Sequence, residues 1–172
     1  MKFLGPAGKP TKSLRRTVLS AALAGLALGL VPTQAQAAET TVTGTYQNKA
    51  TGLCLDGNAW GHVYTSTCDP ARKNPYQQWT FTYTGPAAGT IKQVATGNCL
   101  ALPWITDEII VATKELCEGP SPDAVWTKDG DSRRNSAQAS ICLDSNADHE
   151  VYGLTCNGGP YQKWTLNVLS RT

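Results

Sequence analysis

Two carboxylates in matching surroundings are the side chains of this sequence best suited to ligand chemistry. Asp56 and Asp144 each follow a Cys-Leu pair, and each is followed two residues later by Asn. A fixed carboxylate can accept hydrogen bonds from two vicinal hydroxyl groups, and such charge-assisted bonds are about twice as strong as neutral ones. The alternative is an Asx turn, since each Asp precedes a small residue at a predicted hairpin. The residues alone leave both interpretations open.

A primary amide follows each carboxylate further along the chain. Gln77 and Gln162 lie in two Tyr-Gln-x-Trp-Thr segments. Their amide N–H groups could hold a carboxylate in place, with a bond to the local backbone as the alternative. The Trp of each segment, and a third Trp between them, would each bury about 150–250 Å², so we expect all three in the core. They are Trp79, Trp126 and Trp164.

These motifs belong to an internal repeat. The Cys-Leu-Asp motifs at 54–56 and 142–144 are 88 residues apart, which is two periods of about 44 residues. A middle copy begins at Cys99, but Ala101 replaces its Asp and Ala124 replaces its Gln. Because both polar groups are missing from the same copy, the pattern favours a shared task for them in the other two copies.

Each copy has four short β-type runs separated by turn signals such as Asp-Pro and Gly-Asn. No stretch after residue 37 shows sustained helical periodicity. Four strands in three copies predict an all-β domain with threefold pseudosymmetry. A propeller is excluded because it typically needs about four to eight blades. In the third copy we expect strands at 136–139, 141–144, 151–154 and 163–168.

Residues 1–37 have the features of a secretory signal peptide. A basic segment precedes an apolar run at 18–31, and these 14 residues are fewer than the roughly 20 needed to span a bilayer. Ala35-Gln36-Ala37 has the small-x-small form of a cleavage site. We therefore expect a secreted, extracellular protein with no membrane span after cleavage.

The segment at 38–172 is expected to form one domain. Its charged side chains are 10 basic and 13 acidic, a net charge of −3, which argues against nucleic-acid binding. The expected repeats cover about 42–83, 84–129 and 130–169.

At these residues the chain resembles the ricin B-type lectin domain. The resemblance rests on the paired Cys-Leu-Asp motifs, a second cysteine in each copy and the recurring Gln-x-Trp, and it covers roughly residues 42–169. It points to a secreted bacterial type similar to carbohydrate-binding module family 13. It implies a β-trefoil, with four strands per repeat arranged as a six-stranded barrel and three capping hairpins. The implied function is carbohydrate binding without catalysis.

The resemblance also implies roles for single residues. In the family the matching Asp is the principal sugar ligand and the matching Gln holds it. Many relatives place Trp two residues before the second cysteine, where this chain has Ser66 and Leu154. We expect tyrosines to line the sites instead, with core packing as the alternative, and Asn74 to replace in the first copy an Asn that precedes the Gln in relatives. The predicted carbohydrate-binding residues are Asp56, Tyr64, Asn74, Gln77, Asp144, Tyr152 and Gln162.

Three disulfides are expected, one inside each copy. Six cysteines allow 15 pairings, and the threefold repetition selects one cysteine pair per copy. The predicted pairs are Cys54–Cys68, Cys99–Cys117 and Cys142–Cys156.

Other functions find less support in the sequence. The chain has no Gly-x-Ser-x-Gly elbow, no His-Glu-x-x-His and no phosphate-binding Gly loop, so we predict no enzyme, no metal and no cofactor. The expected form is a monomer that binds a mono- or polysaccharide. A trefoil that binds or inhibits another protein is the alternative.

The variable hairpin loops contain four more aromatic or basic side chains, which either widen a sugar subsite or are incidental surface residues. They are Trp60, His62, Trp104 and His149, and we favour the incidental interpretation for the two histidines.

Overall fold

The computed structural model describes residues 40–103, 110–111, 117, 119 and 121–172. The predicted signal peptide at 1–37 and Trp104 lie outside this part of the chain. Within the described residues no helix is long and apolar enough to cross a membrane.

Twelve β-strands and two short 3₁₀ turns make up the described part of the chain. The 3₁₀ turns are Pro122–Ala124 and Pro160–Gln162. The strands are β1 Thr41–Asn48, β2 Cys54–Gly57, β3 Val63–Ser66, β4 Trp79–Tyr83, β5 Ala88–Gln93, β6 Leu100–Ala101, β7 Ile110–Val111, β8 Val125–Asp129, β9 Ser132–Asn135, β10 Ile141–Ser145, β11 Val151–Thr155 and β12 Trp164–Arg171.

Six strands form the body of the fold, and the other six form three hairpins. The body follows the order β9-β8-β5-β4-β1-β12, with every neighbouring pair antiparallel. The hairpins are β2-β3, β6-β7 and β10-β11, one in each repeat. This arrangement confirms the predicted all-β architecture, a β-trefoil.

The barrel that the family resemblance implies is open at one seam. Strands β9 and β12 form no ladder of backbone hydrogen bonds. The backbone N–H of Trp164 donates across the seam to the carbonyl of Asp131, at 2.8 Å. Strand β9 has only four residues, and its edge away from β8 also pairs with β10 at Arg134 and Cys142. Little of that edge remains for β12, which instead pairs with β1 along its whole length.

The three Trp side chains are buried at the centre of the core, as predicted, with 0% of each exposed. They pack against one Leu from each hairpin within one hydrophobic cluster. A buried indole N–H needs an acceptor, and the backbone carbonyl of that Leu provides it. The bonds join Trp79 to Leu55 (3.0 Å), Trp126 to Leu100 (2.8 Å) and Trp164 to Leu143 (3.0 Å).

The three disulfides join the predicted cysteine pairs, each within one repeat: Cys54–Cys68, Cys99–Cys117 and Cys142–Cys156. Each closes a loop of 14 or 18 residues, worth about 3 kcal/mol in the chain-entropy model. In the first and third repeats the closed loop is the hairpin that presents the Asp.

The first strand of the third repeat lies earlier than the sequence analysis placed it. The predicted strand at 136–139 is wrong, because the strand is Ser132–Asn135 and the chain turns after it. The Asn135 side-chain oxygen accepts the N–H groups of Ala137 and Gln138, at 3.0 Å each. That bonding stabilises a turn in place of a strand. Two adjacent arginines, at 133 and 134, are typical of an exposed loop, so the sequence pattern did not predict a strand there. In the structure Arg133 is buried against the Tyr46 ring.

A ring of buried amides links each repeat to another. Each amide belongs to the last residue of the first strand of a repeat and donates to the carbonyl of the residue before the Gln or its Ala replacement. All three side chains are at most 1% exposed. The bonds run from Asn48 to Tyr161 (2.7 Å), from Gln93 to Tyr76 (3.0 Å) and from Asn135 to Asp123 (2.9 Å).

We predict that Asn135→Ala lowers the free energy of unfolding by about 1–3 kcal/mol, because it strips buried backbone groups of their partner. Urea denaturation followed by Trp fluorescence measures this. Ser136→Ala, at the exposed neighbouring position, is the control and should change stability by less than about 0.5 kcal/mol. Equal stability of the two variants would contradict a structural role for the amide ring.

Candidate functional site

The first-repeat carboxylate is buried at the hairpin, opposite a half-buried tyrosine. Asp56 is 6% exposed and lies directly across the hairpin from Tyr64. One oxygen accepts the N–H of Gly57 at 2.8 Å. The other accepts the Ser66 hydroxyl at 2.6 Å and the Gln77 amide at 2.9 Å. The carboxylate is therefore fixed in one orientation before any ligand arrives.

Gln77 is itself held on both ends of its amide. Its nitrogen donates to Asp56, to Ser66 Oγ at 2.7 Å and to the carbonyl of Thr67 at 3.0 Å. Its oxygen accepts the N–H of Asp69 at 2.8 Å. A fully bonded, 4% exposed amide positions the carboxylate and cannot swing away from it.

The third repeat has the same arrangement. Asp144, 3% exposed, accepts the N–H of Ser145 at 2.7 Å and the Gln162 amide at 2.8 Å. The Gln162 nitrogen also donates to the carbonyl of Thr155, at 3.0 Å, and its oxygen accepts the N–H of Asn157 at 2.8 Å. Burial raises the pKa of Asp144, and the hydrogen bonds from Gln162 and Ser145 offset part of that rise.

The middle repeat replaces the polar pair with an apolar contact. Ala101 and Ala124 are 2% and 1% exposed and lie in one buried cluster with Cys99 and Cys117. The fold of this repeat, including its Trp126 bond to the hairpin, forms without a carboxylate. Asp and Gln are therefore not required to build a repeat.

The geometry explains why the two motifs occur together. The Trp of Gln-x-Trp bonds to the Leu of Cys-Leu-Asp, and the Gln two residues earlier bonds to the Asp one residue later. A tight turn at each Gln brings its side chain toward the hairpin: the Gln77 N–H donates to Asn74 O at 3.1 Å, and Gln162 ends a 3₁₀ turn. Four residues thus form two adjacent hydrogen bonds in each of these two repeats, Trp to Leu and Gln to Asp.

The two hairpin tyrosines lie beside the carboxylates and are half-buried. Tyr64 pairs with Asp56 and Tyr152 with Asp144, so each ring shares a face of its hairpin with the Asp. Burial, followed by the negative charge of Asp56, raises the pKa of Tyr64. Burial and then the charge of Asp144 raise the pKa of Tyr152. Both phenols are therefore neutral at physiological pH, with a ring face and a hydroxyl at the site.

Asn74 lies outside the contact. Its side-chain oxygen accepts the N–H of Tyr76, at 3.0 Å, and its own N–H donates to the carboxylate of Asp69 at 2.8 Å. It shapes the turn that bears Gln77 and makes no hydrogen bond to Asp56. Of the seven predicted site residues, the structure brings together Asp56, Tyr64 and Gln77 in one repeat and Asp144, Tyr152 and Gln162 in the other.

Two residues that sequence reasoning missed complete the first site. Ser66 binds Asp56, and Asp69 organises the turn before Gln77 by accepting the N–H groups of Ala71, Lys73 and Asn74. These backbone bonds, led by that from Asn74, lower the pKa of Asp69. Strand alternation was the available signal for Ser66, since it is two residues from Tyr64 on β3 and faces the same side.

Among the described residues no group of three or more His, Cys, Asp or Glu side chains is placed to hold a metal ion. The first and third repeats each offer a fixed hydrogen-bond acceptor beside a neutral aromatic ring.

The fold resembles solved structures of lectins and of designed and multidomain proteins. The earthworm R-type lectin C-half in complex with GalNAc superposes with a TM-score of 0.57 and 19% identity, over 74% of this chain and 99% of that one. The designed threefold-symmetric protein ThreeFoil gives 0.60 and 16%, over 72% and 96%. The GlcNAcα1-4Gal-releasing endo-β-galactosidase from Clostridium perfringens gives 0.61 and 17%, over 73% of this chain but only 32% of the enzyme. At these identities the likeness shows the fold.

No curated protein matches the sequence significantly. The family model described as the ricin-type beta-trefoil lectin domain matches residues 42–167, which include both Cys-Leu-Asp motifs, all three buried Trp residues and both Asp–Gln contacts. On that match and this geometry, the chain belongs to the ricin-type β-trefoil lectin family.

Proposed function

We propose that this protein is a secreted lectin that binds carbohydrate without catalysis at its first and third repeats. One observation supports this most directly. A buried carboxylate, held by an amide beside a tyrosine, is present in the first and third repeats, whereas the middle repeat has buried Ala101 and Ala124 at the same positions and keeps the same fold.

The cost of the carboxylates argues against a purely structural role. Taking an ionised carboxylate out of water is unfavourable unless its bonds compensate. The raised pKa of Asp144 shows that the compensation is incomplete. A group whose pKa is higher in the folded than in the unfolded state favours folding at low pH, and that contribution is lost as pH rises through the folded pKa. The ionised carboxylate of Asp144 therefore lowers the stability of the fold at neutral pH. The equivalent position of the middle repeat is Ala101, so the fold does not require a carboxylate there.

The bonding suits an acceptor of hydroxyl groups better than an acid catalyst. An amide N–H bonded to a carboxylate favours its ionised form, which accepts hydrogen bonds from a vicinal diol. The neighbouring tyrosine offers a π-face to the apolar C–H face of a sugar ring. Two solved structures with this fold are called lectins, the earthworm protein and the hemolytic lectin CEL-III. Three disulfides are typical of the oxidising exterior.

We predict that Asp56→Asn removes one carbohydrate site and Asp144→Asn the other, because each loses the charge while keeping its shape. Binding to a glycan panel selects the sugar, and titration calorimetry should then give two weak sites in the unsubstituted protein, one in each variant and none in the double variant. Single-site dissociation constants of about 0.1–1 mM are expected for such shallow sites. Asp129→Asn, at an exposed position on β8, is the control. Normal glycan binding by the double variant would refute the site assignment, and binding of a protein instead would favour the inhibitor alternative.

The two sites should differ in affinity. A carboxylate offers about four lone-pair sites, and Asp56 already accepts three bonds where Asp144 accepts two. We therefore expect the variant retaining only Asp144 to bind sugar more tightly than the variant retaining only Asp56. Ser66→Ala should strengthen the first site because it frees one acceptor position. Calorimetry on these single-site variants tests both expectations, and a tighter first site would contradict them.

Sugar binding at the third repeat should fall with decreasing pH, with a midpoint above the ordinary Asp pKa of about 3.9, because burial raises the pKa of Asp144. The Asp56→Asn variant isolates this site for titration at a series of pH values. Binding that does not change as the pH falls through the carboxyl range would show that the charge plays no part.

A further inference from the structure

The hairpins of the first and third repeats touch directly at their outer edges. Tyr64 on β3 forms an isolated β-bridge with Glu150, and the Thr65 N–H donates to the carbonyl of His149 at 2.8 Å. The His149 ring contributes a second contact, from Nδ1 to the carbonyl of Thr65 at 2.9 Å. These bonds join residues more than 80 positions apart in the chain. They place the two tyrosine-bearing hairpins side by side.

A groove of about 1240 Å³ follows this contact. We call it the inter-hairpin groove, and its walls are residues 60–66 of the first repeat and 148–155 of the third, with Ile141. Tyr64 and Tyr152 both line it. Clefts of about 300–1,000 Å³ accommodate a drug-sized ligand, so this groove has room for several sugar rings in a row.

A highly exposed aromatic ring forms part of the groove wall. Trp60 lines it and is 84% exposed. Exposure of so large an apolar side chain is unusual, and an exposed ring beside a groove is suited to stacking against a sugar face. With the two tyrosines it provides a third aromatic surface along the same groove.

The charge of the groove selects against acidic chains. Among the residues that the structure describes, its walls contain Asp148 and Glu150 and no Lys or Arg. Asp56 and Asp144 add negative charge beside the tyrosines, and after burial this charge is the next cause of the raised pKa of each ring. A uronate or sulfate group would meet like charge without a compensating cation, whereas a neutral chain would not.

We propose that the inter-hairpin groove binds one neutral oligosaccharide that runs from Tyr64 of the first-repeat site to Tyr152 of the third-repeat site, with Trp60 as an additional stacking platform. The proposal rests on the function proposed above. The further claim is that the two sites belong to one binding surface, which binds a longer chain more tightly than a monosaccharide. His149 acts as a positioning residue that holds the two hairpins in register. Its backbone is left-handed, with φ of 70°, a conformation that is uncommon outside Gly and that His adopts more often than most other residues.

Chain length is the variable that tests the proposal. The probes are galactose, N-acetylgalactosamine, glucose, mannose and xylose, followed by the linear hexamer of the tightest-binding sugar and a hexamer of galacturonate as the charged comparison. Calorimetry should give two monosaccharides per protein but one neutral hexamer, bound at least tenfold more tightly because the second contact is intramolecular. The galacturonate hexamer should bind at least tenfold more weakly than the neutral hexamer.

Three variants separate the groove from the individual sites. Trp60→Ala should weaken hexamer binding at least fivefold and leave monosaccharide binding unchanged. His149→Ala should do the same, since it removes the ring bond between hairpins and touches neither carboxylate. Leu169→Ala, exposed on β12, is the control and should alter neither.

The outcomes distinguish the two proposals. If none of the five monosaccharides binds, the proposed function fails. If monosaccharides bind at two sites but the hexamer binds no more tightly, or binds two per protein, the groove proposal is overturned and the proposed function stands. Unchanged hexamer affinity in both Trp60→Ala and His149→Ala also overturns it. Equal binding of the galacturonate hexamer overturns the preference for neutral chains.

Discussion

The bond from each buried indole N–H to a hairpin Leu carbonyl is the contact on which the other features of the fold depend. It fixes one hairpin against the body of the sheet in each repeat. Because the residue after that Leu is the Asp or its Ala replacement, the same bond sets where a carboxylate can stand. The Gln two residues before the Trp is then within reach of it. A core contact thus determines the geometry of a surface site.

This coupling lets a repeat lose its site without losing its fold. Removing Asp alone would leave a buried amide donor without its acceptor, which costs about 1–3 kcal/mol. Replacing both partners by Ala removes that penalty, and the middle repeat has this combination in Ala101 and Ala124. The loss is therefore paired for an energetic reason, and a repeat that retains Asp and Gln together retains a polar contact that the fold does not require.

Much of the fold and of the candidate site was predictable from the sequence, because each motif occurs at matching positions in more than one repeat. The three Trp positions, the cysteine pairs and the Asp–Gln partners stand at matching places in the repeats, so each copy supports the others. Features without that repetition were missed. Ser66 has Leu154 as its counterpart, and the strand Ser132–Asn135 was concealed by a buried Arg133 whose charge is typical of a surface. The ring of amides at Asn48, Gln93 and Asn135 was not predicted, because its bonds join different repeats. The contact of His149 with Thr65 joins two hairpins, and it depends on the tertiary fold, which no local sequence pattern indicates.

Thr41 and Thr172 exchange two backbone hydrogen bonds of 2.9 Å where β1 and β12 pair. The chain therefore enters and leaves the trefoil at one point. Strand β1 runs from that point for eight residues to Asn48, roughly 23 Å at about 3.3 Å per residue, before the chain turns into the first hairpin. A module with adjacent ends is well suited to insertion or circular permutation. A short linker could close the trefoil on itself, or graft it into a loop of a host protein, with the attachment point a strand's length from the hairpin that bears Asp56.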